Sequence, residues 1–366
     1  MNKKIRVFTI DDSPIYRQIL REIINSEPDL EYGGFASNGV LALKKIPLVD
    51  PDIITLDVEM PEMNGIETLE RIMKDFPKPV IMLSSFTKDG AEITFKALEL
   101  GAVDYIPKPE LSTTEENIES IKNSLITKIK LFSNFKLLNT SNVSTSKPMF
   151  KQSLVEDGMP VLGGLPSLEI PTKIRNPINI VCIGSSTGGT VALSKIIPNI
   201  DKNIGVPIVI VQHMPKLYTN SFAKRLDAQS DLKVLEAQGN EALEPNTVYI
   251  AQGGLQMLVK NRRISLEDSQ PVNSHKPSVD PLFYSVAIEY KDHSLAIILT
   301  GMGHDGSKGI EAISNAGGFT VAQDEESSVI FGMPGSAIKT GKINRIIPLD
   351  KIATFINDTV RTSKYR

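Results

Sequence analysis

Residues 4–26 read KIRVFTIDDSPIYRQILREIINS, and the change of period within this stretch decides the fold. Lys4–Ile10 is an apolar run of strand length that stops at two acids, Asp11 and Asp12. From Pro14 to Ser26 the period is helical, with Ile15, Ile19 and Ile23 at i, i+4 and i+8. A strand followed at once by a helix is a β–α unit, and the unit recurs. Further strands are expected at Leu30–Phe35, Asp52–Leu56, Pro79–Leu83 and Val103–Ile106. Helices are expected at Gly39–Ile46, Asn64–Asp75, Asp89–Leu100 and Thr114–Leu131. Asn64 is the expected N-cap of the third helix, and Gly101 the C-cap residue of the fourth. Five such units predict an α/β domain over residues 1–130, an open parallel sheet with helices on both faces.

The chain has 366 residues, so more than one domain is expected. Ser, Thr, Asn, Pro and Gly make up 19 of the 40 residues from 133 to 172, which marks a linker. It is not purely a spacer, because Leu154, Val155, Met159, Val161, Leu162, Leu165 and Leu168 are too apolar for a solvated tether. Part of it is expected to lie on a domain surface. Alternation resumes beyond it, and residues 173–366 read as a second, doubly wound α/β domain with a mostly parallel sheet. Strands are expected at Ile178–Ile183, Val206–Val211, Lys233–Glu236, Thr247–Ile250, Leu295–Thr300 and Phe319–Ala322. Helices are expected at Gly188–Ile197, Leu217–Gln229, Val279–Tyr290, Gly306–Gly317 and Leu349–Thr362. Gln256–Lys260 and Arg263–Glu267 read as a β-hairpin around Asn261-Arg262.

Net charge is −3, from 40 Lys+Arg against 43 Asp+Glu, which excludes a chain that coats nucleic acid by charge alone. One cysteine, Cys182, leaves no intrachain disulfide. With no signal peptide and no apolar run near the ~20 residues of a membrane helix, a cytoplasmic protein without membrane insertion is expected.

In a parallel α/β sheet, ligands bind beyond the carboxyl ends of the strands. Asp11 and Asp12 stand there on the first strand, Asp57 on the third, Ser84 on the fourth and Lys108 on the fifth. Any one such acid is as readily an N-cap or a solvated loop residue. Together they suit Mg²⁺, which takes hard oxygen ligands, with a lysine and a hydroxyl for a phosphoryl group. Asp11-Asp12, the run Asp57-Val-Glu-Met-Pro-Glu-Met-Asn-Gly65, Ser84 and Lys108-Pro109 resemble the response-regulator receiver family over about residues 4–125. The resemblance implies that Asp57 accepts a phosphoryl group from a partner histidine kinase. It implies Mg²⁺ held by Asp12, Asp57 and the backbone carbonyl of Glu59, with Asp11 assisting. Ser84 and Lys108 would sense the phosphoryl oxygens, and the Lys108–Pro109 peptide would be cis.

Gly184-Ser-Ser186-Thr-Gly188 fits G-x-S-x-G between a strand and a helix, which places Ser186 at a tight turn before a helix N-terminus. A phosphate-cradling loop is the competing reading, but the P-loop lysine is missing. His213 follows the strand Val206–Val211, and Asp305 follows Leu299-Thr-Gly-Met-Gly-His304. Serine, histidine and aspartate at three strand ends supply nucleophile, base and orienter. The order Ser…His…Asp differs from the Ser…Asp…His of α/β-hydrolases.

These residues resemble the catalytic domain of the CheB-type chemotaxis protein-glutamate methylesterases. The resemblance rests on Ile183–Gly189, Val211-Gln-His-Met-Pro215, His275-Lys-Pro-Ser-Val-Asp280, Leu299–Gly306 and Gln323–Pro334. It implies hydrolysis of glutamate γ-methyl esters on chemoreceptors to glutamate and methanol, with deamidation of receptor glutamines and no cofactor. The Met302 N–H would stabilise the oxyanion, with Thr187 and His275 positioning. The simplest control has the receiver restrain the esterase until Asp57 is phosphorylated. A monomer is expected. The competing reading is a receptor-binding adaptor whose hydrolase domain is inactive; a DNA-binding output would need a helix-turn-helix or basic patch that the sequence lacks.

Overall fold

The computed structural model describes residues 3–85, 87–108, 115–133, 135–137, 150–152 and 176–364. The chain divides into two compact units, residues 1–159 and 160–366.

In the first unit β1 (Ile5–Ile10), α1 (Pro14–Asn25), β2 (Leu30–Ala36), α2 (Gly39–Val49), β3 (Ile53–Asp57), α3 (Gly65–Asp75), β4 (Val80–Ser84), α4 (Lys88–Glu99), β5 (Asp104–Pro107) and α5 (Glu115–Phe132) alternate. The sheet has the order β2-β1-β3-β4-β5 and every pairing is parallel. The chain therefore switches direction beside β1, and the carboxyl ends of β1 and β3 open one crevice. Helix ends follow local chemistry. Ser13 caps α1 with Pro14 in its first turn, and the Asn64 side chain accepts from Glu67 N–H at the start of α3. Within α1 the buried face is Leu20, Ile23 and Ile24, whereas Ile15 is exposed at 54%. The apolar period read from Ile15 therefore meets the core only from Leu20 onward. Two short strands, β6 (Phe135–Leu137) and β7 (Phe150–Gln152), pair antiparallel inside the stretch expected to be a linker. The apolar residues from Leu154 to Leu168, and Pro109, lie outside the described residues.

The second unit comprises β8 (Ile180–Ser185), α6 (Gly189–Ile196), β9 (Ile208–Gln212), α7 (Lys216–Gln229), β10 (Lys233–Glu236), β11 (Thr247–Ile250), β12 (Gln256–Lys260), β13 (Arg263–Glu267), α8 (Val279–Tyr290), β14 (Ser294–Ile298), α9 (Ser307–Asn315), β15 (Phe319–Gln323), α10 (Gly332–Lys339), β16 (Arg345–Ile347) and α11 (Leu349–Lys364). Seven parallel strands run in the order β10-β11-β9-β8-β14-β15-β16, and β12 and β13 form a separate antiparallel hairpin. The chain winds outward from β8 through β9 to β10 and β11, then returns to the other side through β14 to β15 and β16. The switch lies beside β8, whose neighbours are β9 and β14. The buried strand residues Ile180–Ile183, Ile208–Val211 and Leu295–Ile298 read as near-continuous apolar runs because helices cover both faces. Cys182 is one of them. Its Sγ contacts the Leu295 carbonyl at 3.6 Å, and burial pushes its thiol pKa well up, so it is core packing.

Candidate functional site

At the end of β1 and β3 two buried carboxylates face one lysine. Lys108 Nζ lies 2.8 Å from Asp11 Oδ2 and 2.7 Å from Asp57 Oδ2, with the Tyr16 ring 4.6 Å from Nζ. Asp57 is 3% exposed. Burial raises its pKa to about 6, with Asp11 adding to the rise and Lys108 opposing it. Burial alone would pull Lys108 down, but Asp57 and Asp11 outweigh it and leave its pKa raised. Asp12 is exposed and borders a cleft of about 710 Å³ that also reaches Glu59, Asn64 and Lys96. Carboxylate oxygens of Asp11, Asp12 and Asp57 lie within 4.8 Å of one another, a hard-oxygen set that fits Mg²⁺. The Glu59 N–H donates to Asp57 Oδ1 at 3.4 Å. Ser84 is fully buried and its hydroxyl donates to the Gly90 carbonyl at 3.0 Å, so reaching a phosphoryl oxygen would mean leaving that partner at the start of α4.

In the second unit the three candidate residues follow three adjacent strands. Ser185 pairs with Gln212 in the β8–β9 register, so Ser186 and His213 stand at the next position of each strand. The local fold is held by Gln212, whose Oε1 accepts from Ser185 Oγ at 2.7 Å. Its Nε2 donates to the carbonyls of Ser186 at 2.9 Å and His213 at 3.1 Å. Asp305 comes from farther away: β14 ends at Ile298, and the loop 299–306 delivers the acid.

Asp305 is 1% exposed. Its Oδ2 lies 2.7 Å from His213 Nε2 and accepts from Val279 N–H at 2.7 Å. Its Oδ1 accepts from Ser278 Oγ at 2.7 Å, Asn273 Nδ2 at 2.8 Å, Gly306 N–H at 3.0 Å and Asp280 N–H at 3.2 Å. Burial would raise this carboxyl, but the His213 contact and these donors hold it well below the carboxylate range. With Nε2–H donating to Asp305, the other ring nitrogen, Nδ1, keeps its lone pair. That atom is buried and has no hydrogen-bond partner among the described residues.

His275 stacks on His213, with ring centroids 3.7 Å apart and planes 12° from parallel. Burial, then the neighbouring His213, lowers His275 to about 4, so the ring is neutral and its Nδ1–H donates to the Asn273 carbonyl at 2.6 Å. His213, His275 and Asp305 also come close enough to be weighed as metal ligands. Imidazole lone pairs lie in the ring planes, however. Two stacked rings direct them along parallel lines, so no ion about 2 Å from both nitrogens lies in both planes. The set suits proton transfer instead.

Gly301 brings the 299–306 loop against the serine: a Cβ there would lie 2.8 Å from Ser186 Cβ and 2.2 Å from Met333 Sδ. The next amide, Met302 N–H, has no protein acceptor among the described residues. The Thr187 carbonyl accepts from Thr300 Oγ1 at 3.0 Å. Asn273, Ser278 and Gln212 belong to this network and were not singled out from the sequence. Gln212 and Ser278 stand inside two of the motifs quoted above, and Asn273 two residues before His275.

Two family models match the chain: the response regulator receiver domain over residues 7–120 and CheB methylesterase over residues 181–356. A protein-glutamate methylesterase/protein-glutamine glutaminase of Pyrococcus abyssi is 39% identical over 96% of this chain and 92% of that protein. One of Desulfotalea psychrophila is 42% identical over 98% of this chain and 99% of that protein. The crystal structure of the Thermotoga maritima CheB methylesterase catalytic domain is 43% identical, with a TM-score of 0.48, over 50% of this chain and 98% of that one. Through both its units, then, this chain belongs to the CheB family, a response-regulator receiver joined to a protein-glutamate methylesterase domain.

Proposed function

We propose that this enzyme removes glutamate γ-methyl esters from chemoreceptors with Ser186, His213 and Asp305, and that phosphorylation of Asp57 by a histidine kinase controls it. The observation that carries the reading is the buried His213 Nδ1, unpartnered among the described residues, beside the strand end that bears Ser186. Asp305 fixes the proton on Nε2, so Nδ1 is the base. Ser186 Oγ attacks the side-chain carbonyl as Nδ1 takes its proton. Asp305 stabilises the imidazolium that forms, and its depressed pKa keeps it anionic throughout. The oxyanion is met by the Met302 N–H, a donor of a kind worth roughly 3–4 kcal/mol in serine enzymes. Methanol leaves with the proton from Nδ1, and water then cleaves the acyl-enzyme by the same route. A primary amide shares this carbonyl chemistry, so receptor glutamines are deamidated at the same site with ammonia as the leaving group. Thr187 shapes the turn beside the nucleophile, and His275 supports the base.

In the receiver, Asp11, Asp12, Asp57 and the Glu59 carbonyl would hold Mg²⁺, which supplies charge neutralisation for phosphoryl transfer. Lys108 offsets the paired charges of Asp11 and Asp57, which supports its reading as the group that would bind a phosphoryl oxygen. The deciding experiment measures methanol released from methylated receptor membranes. Ser186→Ala is expected to release none while still binding receptors. Asp57→Ala is expected to keep a low basal rate that no phosphodonor raises. A wild-type chain that released no methanol even when phosphorylated would leave an adaptor role instead.

A further inference from the structure

Asn273 touches both groups that flank His213. It lies in a left-handed turn, at φ +51°, ahead of α8. Both amide hydrogens have buried acceptors: Nδ2 lies 2.8 Å from Asp305 Oδ1 and 2.8 Å from Asp280 Oδ2. Its carbonyl accepts from His275 Nδ1, and His275 is the ring stacked on His213. Asp280 is 2% exposed, and its second oxygen accepts from Gly309 N–H at 2.7 Å.

We propose that Asn273 is a positioning residue for ester hydrolysis, holding the orienting carboxylate by its side chain and the stacking imidazole by its backbone. This rests on the reading of His213 as the base and Ser186 as the nucleophile. The residue type follows from the charges. Two buried carboxylates side by side repel, and each needs a donor. A lysine or arginine between them would neutralise Asp305 and weaken its hold on the imidazolium. A carboxamide gives one N–H to each acid and adds no net charge. The backbone contact fixes His275 as the Nδ1–H tautomer, which keeps a neutral face against His213. Asparagine also tolerates the left-handed turn that aims the amide and the carbonyl in these two directions.

A pH signature follows. The titratable groups around His213 and its two supports are Asp305, His275, Asp280 and His304. Each donor to Asp305 draws negative charge off it. Without the Asn273 donor, Asp305 binds the imidazolium more strongly, so the acid limb of the rate profile is expected at higher pH.

The test uses the full chain with Mg²⁺ and a small-molecule phosphodonor, and follows methanol release from receptor membranes across pH. Rates are normalised to the serine that a fluorophosphonate labels to completion. Asn273→Gly accepts the left-handed turn and retains the carbonyl, so only the amide is lost. Asn273→Asp keeps the shape but replaces the donor with a third acidic group. For the glycine variant we expect kcat to fall roughly 10- to 100-fold, the scale of a small misplacement of reacting groups. KM should stay within about twofold, and the acid limb of the kcat profile should move to higher pH. The aspartate variant should lose more. A glycine variant with wild-type kcat and an unmoved profile overturns the proposal. So does a rate that falls only in proportion to the labelled serine, since that is a purely structural effect. Ser186→Ala run in parallel separates the two readings. If it still releases methanol, the nucleophile reading fails and this one with it. If it is inactive while Asn273→Gly behaves as wild type, only the role of Asn273 fails.

Discussion

His275 illustrates how one residue can be legible in kind and not in role. The sequence marks it as one of four histidines in a motif shared with methylesterases, and nothing local says that it stacks on another histidine sixty-two positions away. Burial and His213 hold its ring at about 4, whereas an unfolded histidine titrates near 6.5. Between those values the unfolded chain takes up a proton that the folded chain refuses. Stability conferred by this site is therefore present at neutral pH and falls as the pH drops from about 6.5 towards 4. His275→Gln should remove that part of the acid sensitivity, roughly 2 kcal/mol once solvent screening of a partly buried ring is allowed for. Urea unfolding of the second unit at pH 7 and pH 4.5 measures it; an equal pH dependence in both proteins would contradict the assignment. Ser186, His213 and Asp305 are legible because their types at strand ends limit what they can do. Asn273, Gln212 and Ser278 are not, because an amide or hydroxyl acquires its role from partners that only folding supplies.

At the scale of elements, the strands and most helices follow from period and capping. The misses have local causes. Gly332-Met-Pro-Gly335 punctuates like a loop, yet it forms the first half of α10, where Pro334 in the first turn needs no N–H partner. The edge strand β16 is three residues, Arg345-Ile-Ile347, too short to show alternation. Helix α2 runs past the expected stop at Ile46 through Pro47 to Val49, although Pro47 has no N–H for the Leu43 carbonyl; its fixed φ is compatible with the last turn, where little helix remains to disrupt. The close approach of α3 to β3 carries the clearest consequence. A Cβ on Gly65 would sit 2.2 Å from the Asp57 carbonyl oxygen and 2.8 Å from Val58 Cα, both backbone atoms that cannot rotate aside. Gly65→Ala should therefore destabilise the receiver by about 1–3 kcal/mol and slow phosphorylation of Asp57, because α3 and the β3 terminus must part. Receiver unfolding and the rate of labelling by a small-molecule phosphodonor report the two effects separately. An unchanged rate in a destabilised protein would show that the displacement stays in α3.

For the whole molecule, the phosphorylation control proposed above needs a restraint of the esterase by only a few kcal/mol to make a responsive switch. A fragment beginning near Lys173 should hydrolyse receptor esters faster than the unphosphorylated full chain, and phosphorylation should close that gap. Equal rates for fragment and unphosphorylated chain would remove the restraint from the account. The sequence by itself determined two α/β units, the residue types at their strand ends and the family they belong to. Those properties reside in short windows: periods of two or 3.6 residues, caps, and glycines at turns. Only the tertiary structure decided that β8 lies between β9 and β14, which sets Ser186 and His213 at neighbouring strand ends and lets the loop after β14 bring Asp305 to His213. It also decided that six hydrogen bonds converge on Asp305, one of them from His213 Nε2, and that His213 Nδ1 has no partner among the described residues. The physical reason is range. Backbone preference is set by near neighbours, whereas strand order and the pairing of buried polar groups depend on contacts among residues far apart in the chain, where each unsatisfied donor or acceptor is costly.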